Sequence, residues 1–203
     1  MPIGERVGGN GRFVAFIGPR DRDPWARGLV YLVVDSLTGA SLTFEHVRQI
    51  AFAPDRQHLI VSALGNLVVY ELATGNAVGA PAAIENLASF APDGRLAWAE
   101  PAGKSYPIHL RNLATRAETI LTGMPAFGGG RADRVRLAFD QRAHVLATTE
   151  RAIRVWKNDR PDPIVAVEGE TYNHAMLSSD GLAYVRIDDR LQHFFEHIDL
   201  ASA

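Results

Sequence analysis

The chain has no cysteine, which excludes a disulfide framework, a thiolate nucleophile and cysteine-ligated zinc or iron-sulfur sites. It has no strong excess of one charge either: 21 Lys and Arg stand against 23 Asp and Glu, a net charge of -2. Such a balance gives no global attraction to nucleic acid or to an anionic membrane. No stretch approaches the roughly 18 consecutive apolar residues that a spanning helix needs, and the opening MPIGERVGGNGR holds no apolar segment of signal-peptide length. These absences lead one to expect a soluble, cytoplasmic protein without a nucleic-acid or membrane partner. Helical periodicity is nearly missing as well, because the apolar runs are short, are bounded by turn residues and favour a two-residue period. The fold class expected is all-β.

What is present is a repeat. Residues 47–75, VRQIAFAPDRQHLIVSALGNLVVYELATG, read as three short strands joined by a Pro54-Asp55 turn and a Gly65-Asn66 turn and closed by Thr74-Gly75. Versions of this unit cover most of the chain, with units at 9–46, 47–84, 85–124, 131–169 and 172–203. The tetrapeptide Phe52-Ala53-Pro54-Asp55 recurs as Phe90-Ala91-Pro92-Asp93, 38 residues on. Leu177 stands another 38 residues after Phe139. Ser41 to Glu45, Ala77 to Ala83, Glu118 to Leu121 and Ile164 to Val167 supply fourth strands, the second of them poor and edge-like because of Gly79 and Pro81. In the first unit the innermost strand is expected to be missing, since Met1 to Gly8 are not strongly apolar. The last unit stops where its outermost strand would begin. Small four-stranded meanders cannot bury both faces alone, so neighbouring sheets must stack, and radial stacking limits exposed edges.

The repeat resembles the WD40-type β-propeller blade, with likeness to the related bacterial blades of the TolB sort. The residues that carry the resemblance are FAPD at Phe52 to Asp55, FAPDG at Phe90 to Gly94, LSSDG at Leu177 to Gly181, and the third-strand endings VVYELATG, IHLRNLAT and AIRVWKND. It implies a propeller of about five four-stranded blades, the first and last incomplete, either closed as a ring or forming an open arc of a larger propeller. The Gly-His pair of eukaryotic WD40 repeats is absent, and Trp156, at the signature third-strand place, is followed by Lys157 where the family usually has Asp.

Few residues suggest chemistry. His193-Phe194-Phe195-Glu196-His197 matches the H-x-x-E-H string of zinc peptidases, but that string needs a helix, and on the third strand expected here Glu196 points away from the face shared by the two histidines. The two phenylalanines read as core residues. Gly128-Gly129-Gly130-Arg131 lacks the following helix and Lys-Ser/Thr pair of a phosphate loop and reads as an insertion. Asp55, Asp93 and Asp180 follow Pro or Ser in turns, where the side chain caps its own backbone. Ser105 and His109 belong to no nucleophile constellation, for no G-x-S-x-G elbow occurs. Arg20, Arg22 and Arg27 accompany Trp25 in one insert, and Arg131, Arg134 and Arg136 surround the glycine run, all interleaved with Asp21, Asp23 and Asp133. Local charge therefore nearly cancels and solvated loops are the plain reading; Arg and Trp are also residue types that anchor protein interfaces, so Trp25, Arg22, Arg27, Arg131 and Arg134 are the candidate partner contacts.

The function expected is therefore a non-catalytic protein-protein interaction or scaffold module, with no catalytic residue, metal or cofactor. One alternative is a propeller hydrolase or lactonase holding a metal at the central axis, where the inner-strand starts Arg48-Gln49, Glu85-Asn86, Arg134 and Tyr172-Asn173-His174 bring only one carboxylate. Another is a structural piece that completes a larger propeller and associates through its incomplete terminal blades.

Overall fold

The structure, a computed structural model, describes residues 5–18, 29–63, 66–82, 88–126, 135–142, 144–149, 151–157, 160–168, 172–178, 181–187 and 192–200. All regular elements among them are β-strands, and among these described residues no helix is long and apolar enough to cross a membrane. The chain divides into two compact units, Met1–Glu85 and Asn86–Ala203.

In the first unit seven strands run in chain order in one antiparallel sheet: β1 Glu5–Gly9, β2 Phe13–Gly18, β3 Leu29–Asp35, β4 Ser41–Phe52, β5 His58–Ala63, β6 Asn66–Glu71 and β7 Ala77–Ala82. Strand β4 belongs to two meanders. Ser41 to Phe44 pair with β3, whereas Gln49 to Phe52 pair with β5. Between them His46 takes the left-handed backbone conformation at φ 55°, which turns the chain where the first repeat passes into the second. The innermost strand expected to be missing is present: β1 pairs with β2 from Glu5 opposite Ile17 to Gly9 opposite Val14. A strand at a sheet edge is held by main-chain hydrogen bonds, so a weakly apolar sequence suffices for it. At the opposite edge β7 pairs irregularly, with register shifts around Val69 opposite Gly79, as Gly79 and Pro81 predict.

The core of this unit follows from alternation. Phe13 and Ala15 on β2, Tyr31 and Val33 on β3 and Leu59 and Val61 on β5 are buried together with Val47 and Leu72. Each fully buried side chain of Leu or Val size contributes about 1.5–3 kcal/mol, so this cluster is the main favourable term in the unit.

The second unit holds three sheets. The first is β8 Ala88–Phe90, β9 Leu96–Ala99, β10 Ile108–Arg111 and β11 Glu118–Leu121; the next is β12 Arg136–Phe139, β13 Val145–Thr148, β14 Ala152–Trp156 and β15 Val165–Glu168; the last is β16 Tyr172–Leu177, β17 Gly181–Ile187 and β18 His193–Asp199. The inner strand β12 lies near both β8 and β16. Ala97, Ile108 and Leu110 bury against Val145, Ala147 and Trp156. The other face of the middle sheet, with Leu146, Ile153 and Val155, buries against Leu182 and Tyr184 of the last sheet. Within this unit the first sheet is thus covered by the second and the second by the third.

Two turns recur and fix the hairpins. Between third and fourth strands, the N–H of Gly39 donates to Asp35 O, that of Gly75 to Glu71 O and that of Arg116 to Asn112 O, each at 2.8–2.9 Å. The residue ending each turn is left-handed, at φ 73°, 72° and 61°, an easy conformation for glycine and one that costs Arg116 about 1–2 kcal/mol. Thr38, Thr74 and Thr115 each accept the N–H two residues on through Oγ1. Between first and second strands, an Asn or Asp caps the turn with its Oδ1: Asn10 accepts from Phe13 N–H, Asp55 from Gln57 and His58, Asp93 from Arg95, and Asp140 from Arg142 and His144. The turn role assigned to Asp55 and Asp93 is therefore what the structure shows, while Asp180 lies outside the described residues.

Candidate functional site

The capping aspartates also recruit a base. His58 Nδ1 lies 2.6 Å from Asp55 Oδ2, Arg95 Nε donates to Asp93 Oδ2 at 2.8 Å, and His144 Nδ1 lies 2.6 Å from the buried Asp140 Oδ2. Asp55 and Asp93 are expected turn residues from the sequence, whereas Asp140 and all three bases are not. The signal was a His or Arg two to four residues after each Asp. In the first repeat the cap is Asn10, a neutral amide that offers a guanidinium no charge. Arg12 turns instead to Asp35 at the end of β3, donating from Nε at 3.0 Å and from Nη2 at 2.6 Å. Asp35 is buried and also accepts the Leu37 N–H and the Thr38 hydroxyl. The Arg12 guanidinium, with those two donors, holds the Asp35 carboxyl well below the usual carboxylate range.

Arg12, but not Asp35, lines a cleft of about 330 Å³ in the first unit. On one side stand Asn10, Arg12 and Phe13, on the other Arg56, Glu71 and Leu72. Arg12 is 47% exposed and its Cζ lies 5.1 Å from the centroid of the Phe13 ring. Asn10 Nδ2 donates to Arg56 O at 3.1 Å across the gap, and Arg56 is held at φ 61°. Thr74 Oγ1 donates to Glu71 Oε2 at 2.7 Å. The residues that line the cleft therefore include two arginines, one tethered carboxylate and the apolar Phe13 and Leu72.

Two further groups of charges are internal ties. His109 stacks on Trp98 with ring centroids 5.0 Å apart, and its Nδ1 lies 2.7 Å from Glu118 Oε1. Burial pushes the Glu118 carboxyl up, but the bonds from His109 and Arg111 outweigh it, and the group titrates below its ordinary value. Ser105 Oγ donates to Ala102 O, so Ser105 and His109 are engaged separately. Arg154 on β14 is buried, with Nε donating to Gly123 O at 2.9 Å and Nη1 to Ile153 O at 3.0 Å and Val167 O at 2.9 Å; Nη2 bonds Glu168. Beside it, Trp156 Nε1 donates to Thr122 O at 3.0 Å.

The residues expected to contact partners, Trp25, Arg22, Arg27, Arg131 and Arg134, lie outside the described residues, as does the glycine run Gly128 to Gly130. The H-x-x-E-H segment forms strand β18, as expected, and Glu196 accepts from the Tyr184 hydroxyl. Its phenylalanines are not core residues: Phe194 is 38% and Phe195 76% exposed. The reason is position, since β18 is the outer strand of a three-stranded sheet and Phe195 is on the face turned away from the middle sheet. Met176, 74% exposed, shares that face. Among the described residues no group of three His, Asp or Glu is placed to hold a metal ion.

No protein-family model and no curated protein sequence matches the chain. Solved structures do match in fold. Over 99% of this chain and 38% of theirs, the coordinates superpose on the acylaminoacyl peptidase of Pyrococcus horikoshii with a TM-score of 0.62 at 9% identity. The β-propeller domain of the Trilobed protease from Pyrococcus furiosus gives 0.61 at 10% identity over 98% of this chain and 68% of that one. TolB from Acinetobacter baumannii gives 0.58 at 14% identity over 98% and 53%. The chain thus spans 38% to 68% of the length of these three structures. Its fold is an incomplete β-propeller of the TolB-like and WD40-like kind.

Proposed function

We propose that the chain is a non-catalytic protein-interaction module and that its contact surface is the outer face of the β16–β18 sheet, taken up by a second copy of the chain. One observation carries this reading. Met176 opposite Ala183, Ala183 opposite His197 and Val185 opposite Phe195 repeat the pairings Ala138 opposite Leu146, Leu146 opposite Val155 and Thr148 opposite Ile153 of the middle sheet. In the middle sheet Leu146, Ile153 and Val155 are buried against the sheet that follows and Ala138 is partly buried there, whereas here Met176 and Phe195 face solvent. The face continues a stack whose next layer is a meander of the same repeat, and a second copy brings such a meander.

Magnitudes set the strength. Burying two large apolar side chains contributes about 3–6 kcal/mol, against an association cost of about 4–15 kcal/mol. The two side chains alone do not offset that cost, so the rest of the face must be buried with them, and the contact is weak, reversible and concentration-dependent. Sedimentation velocity across micromolar to several hundred micromolar protein tests it: the mean mass should rise with concentration in the wild type and stay at the monomer value in Phe195→Asp and in Met176→Glu. A wild type that remains monomeric throughout overturns the assignment of this face. Calcium or zinc retained stoichiometrically after dialysis would instead favour the propeller hydrolase reading.

A further inference from the structure

We propose that the cleft between the Asn10–Phe13 turn and Arg56 is a binding site for one side-chain carboxylate of an extended polypeptide segment, seated with an apolar neighbour. The site is separate from the β16–β18 face and does not depend on it. A guanidinium has five N–H donors. Asp35 takes one at Nε and one at Nη2 of Arg12, which leaves three on a group that is 47% exposed in the cleft. Asp35 is itself buried and tied by Leu37 and Thr38, so Arg12 is held before any ligand arrives, and a carboxylate meets a preorganised donor set. Arg56, across the cleft, is exposed on a backbone fixed by Asn10.

The same geometry limits the ligand. Arg12 is neutralised in part by Asp35, and Glu71 adds a carboxylate to the wall, so a dianion such as phosphate or a run of acidic residues meets repulsion. A single carboxylate brings the least negative charge against Asp35 and Glu71 while still pairing with Arg12. Phe13 and Leu72 give the adjoining surface an apolar character, which suits Leu, Ile or Met next to the acidic residue. At about 330 Å³ the cleft is at the lower end of ligand-pocket sizes, so it holds a short segment.

The test is a titration of ¹⁵N-labelled Met176→Glu protein, which removes self-association, with acetyl-Leu-Glu-Leu-amide, acetyl-Leu-Gln-Leu-amide and inorganic phosphate. The Glu peptide should give saturable shifts at the amides of Gly11, Arg12, Arg56 and Leu72. The Gln peptide should bind at least tenfold more weakly, and Arg56→Asn, which keeps a residue tolerant of positive φ, should weaken the Glu peptide about fivefold with the rest of the spectrum unchanged. Equal shifts from both peptides, shifts confined to other residues, no shifts, or a stronger response to phosphate than to the Glu peptide would overturn the proposal.

Discussion

Arg12 and Asp35, 23 residues apart, form a two-point ion pair, Nε to Oδ1 at 3.0 Å and Nη2 to Oδ2 at 2.6 Å, that ties the first turn of the first meander to the end of its third strand. The Asp35 carboxyl titrates well below its ordinary value, first because of Arg12. Its contribution to stability is thus fully present above the unfolded-state value near 4 and is lost as pH falls toward the lower folded-state value.

Urea unfolding midpoints should be nearly constant from pH 7 to 5 and drop below about pH 4. In Asp35→Asn the midpoint at pH 7 should be lower and the acid drop shallower. It should not vanish, because Glu118 and Asp55 also titrate below their ordinary values; at Asp55 burial pushes upward but the bonds from Gln57 and His58 prevail. Equal acid losses in the two proteins would remove Asp35 from the explanation.

Arg154, 4% exposed, satisfies the carbonyls of Gly123 and Val167. In Arg154→Leu those acceptors lose their donor, and stability should fall by about 2–3 kcal/mol. Glu168→Gln should cost under 1 kcal/mol, since the Glu168 side chain is largely exposed. Paired urea titrations compare them, and a reversed order would show that the ion pair, not the carbonyl ties, matters at this site.

Glycine substitutions should split by position. A Cβ at Gly181 would stand 2.4 Å from the backbone oxygen of Ile198 and 2.6 Å from the His197 ring, whereas at Gly79 it meets nothing within 4 Å. Gly181→Ala should therefore destabilise by about 2–3 kcal/mol, because strands β17 and β18 must separate, and Gly79→Ala should be neutral or slightly stabilising. Thermal melts of the two variants check this, and a tolerant Gly181 would contradict the close approach of the strands.

The repeat was legible because its signals are local. Alternating apolar residues set the faces, and Asn, Asp and Gly set the turns. Strand β1 was not legible, since Glu5–Gly9 is held by main-chain pairing that leaves no apolar mark. The fate of Phe194 and Phe195 was not legible either: an apolar pair on a strand looks the same whether or not another sheet covers it. The Arg12–Asp35 pair needed the fold, because nothing in sequence joins residues brought together across a hairpin. The Asp140–His144 pair was within reach, as its spacing repeats that of Asp55 and His58 to within one residue.

Because the chain has no cysteine, a single introduced one can be labelled without ambiguity, and this gives the most direct test of the interaction face. An environment-sensitive dye placed at Met176→Cys, on that face, is compared with one at Leu37→Cys, on an exposed turn, as protein concentration rises. A blue shift and intensity gain at 176 with none at 37 is the predicted result. No change at 176, or equal changes at both positions, would contradict the account.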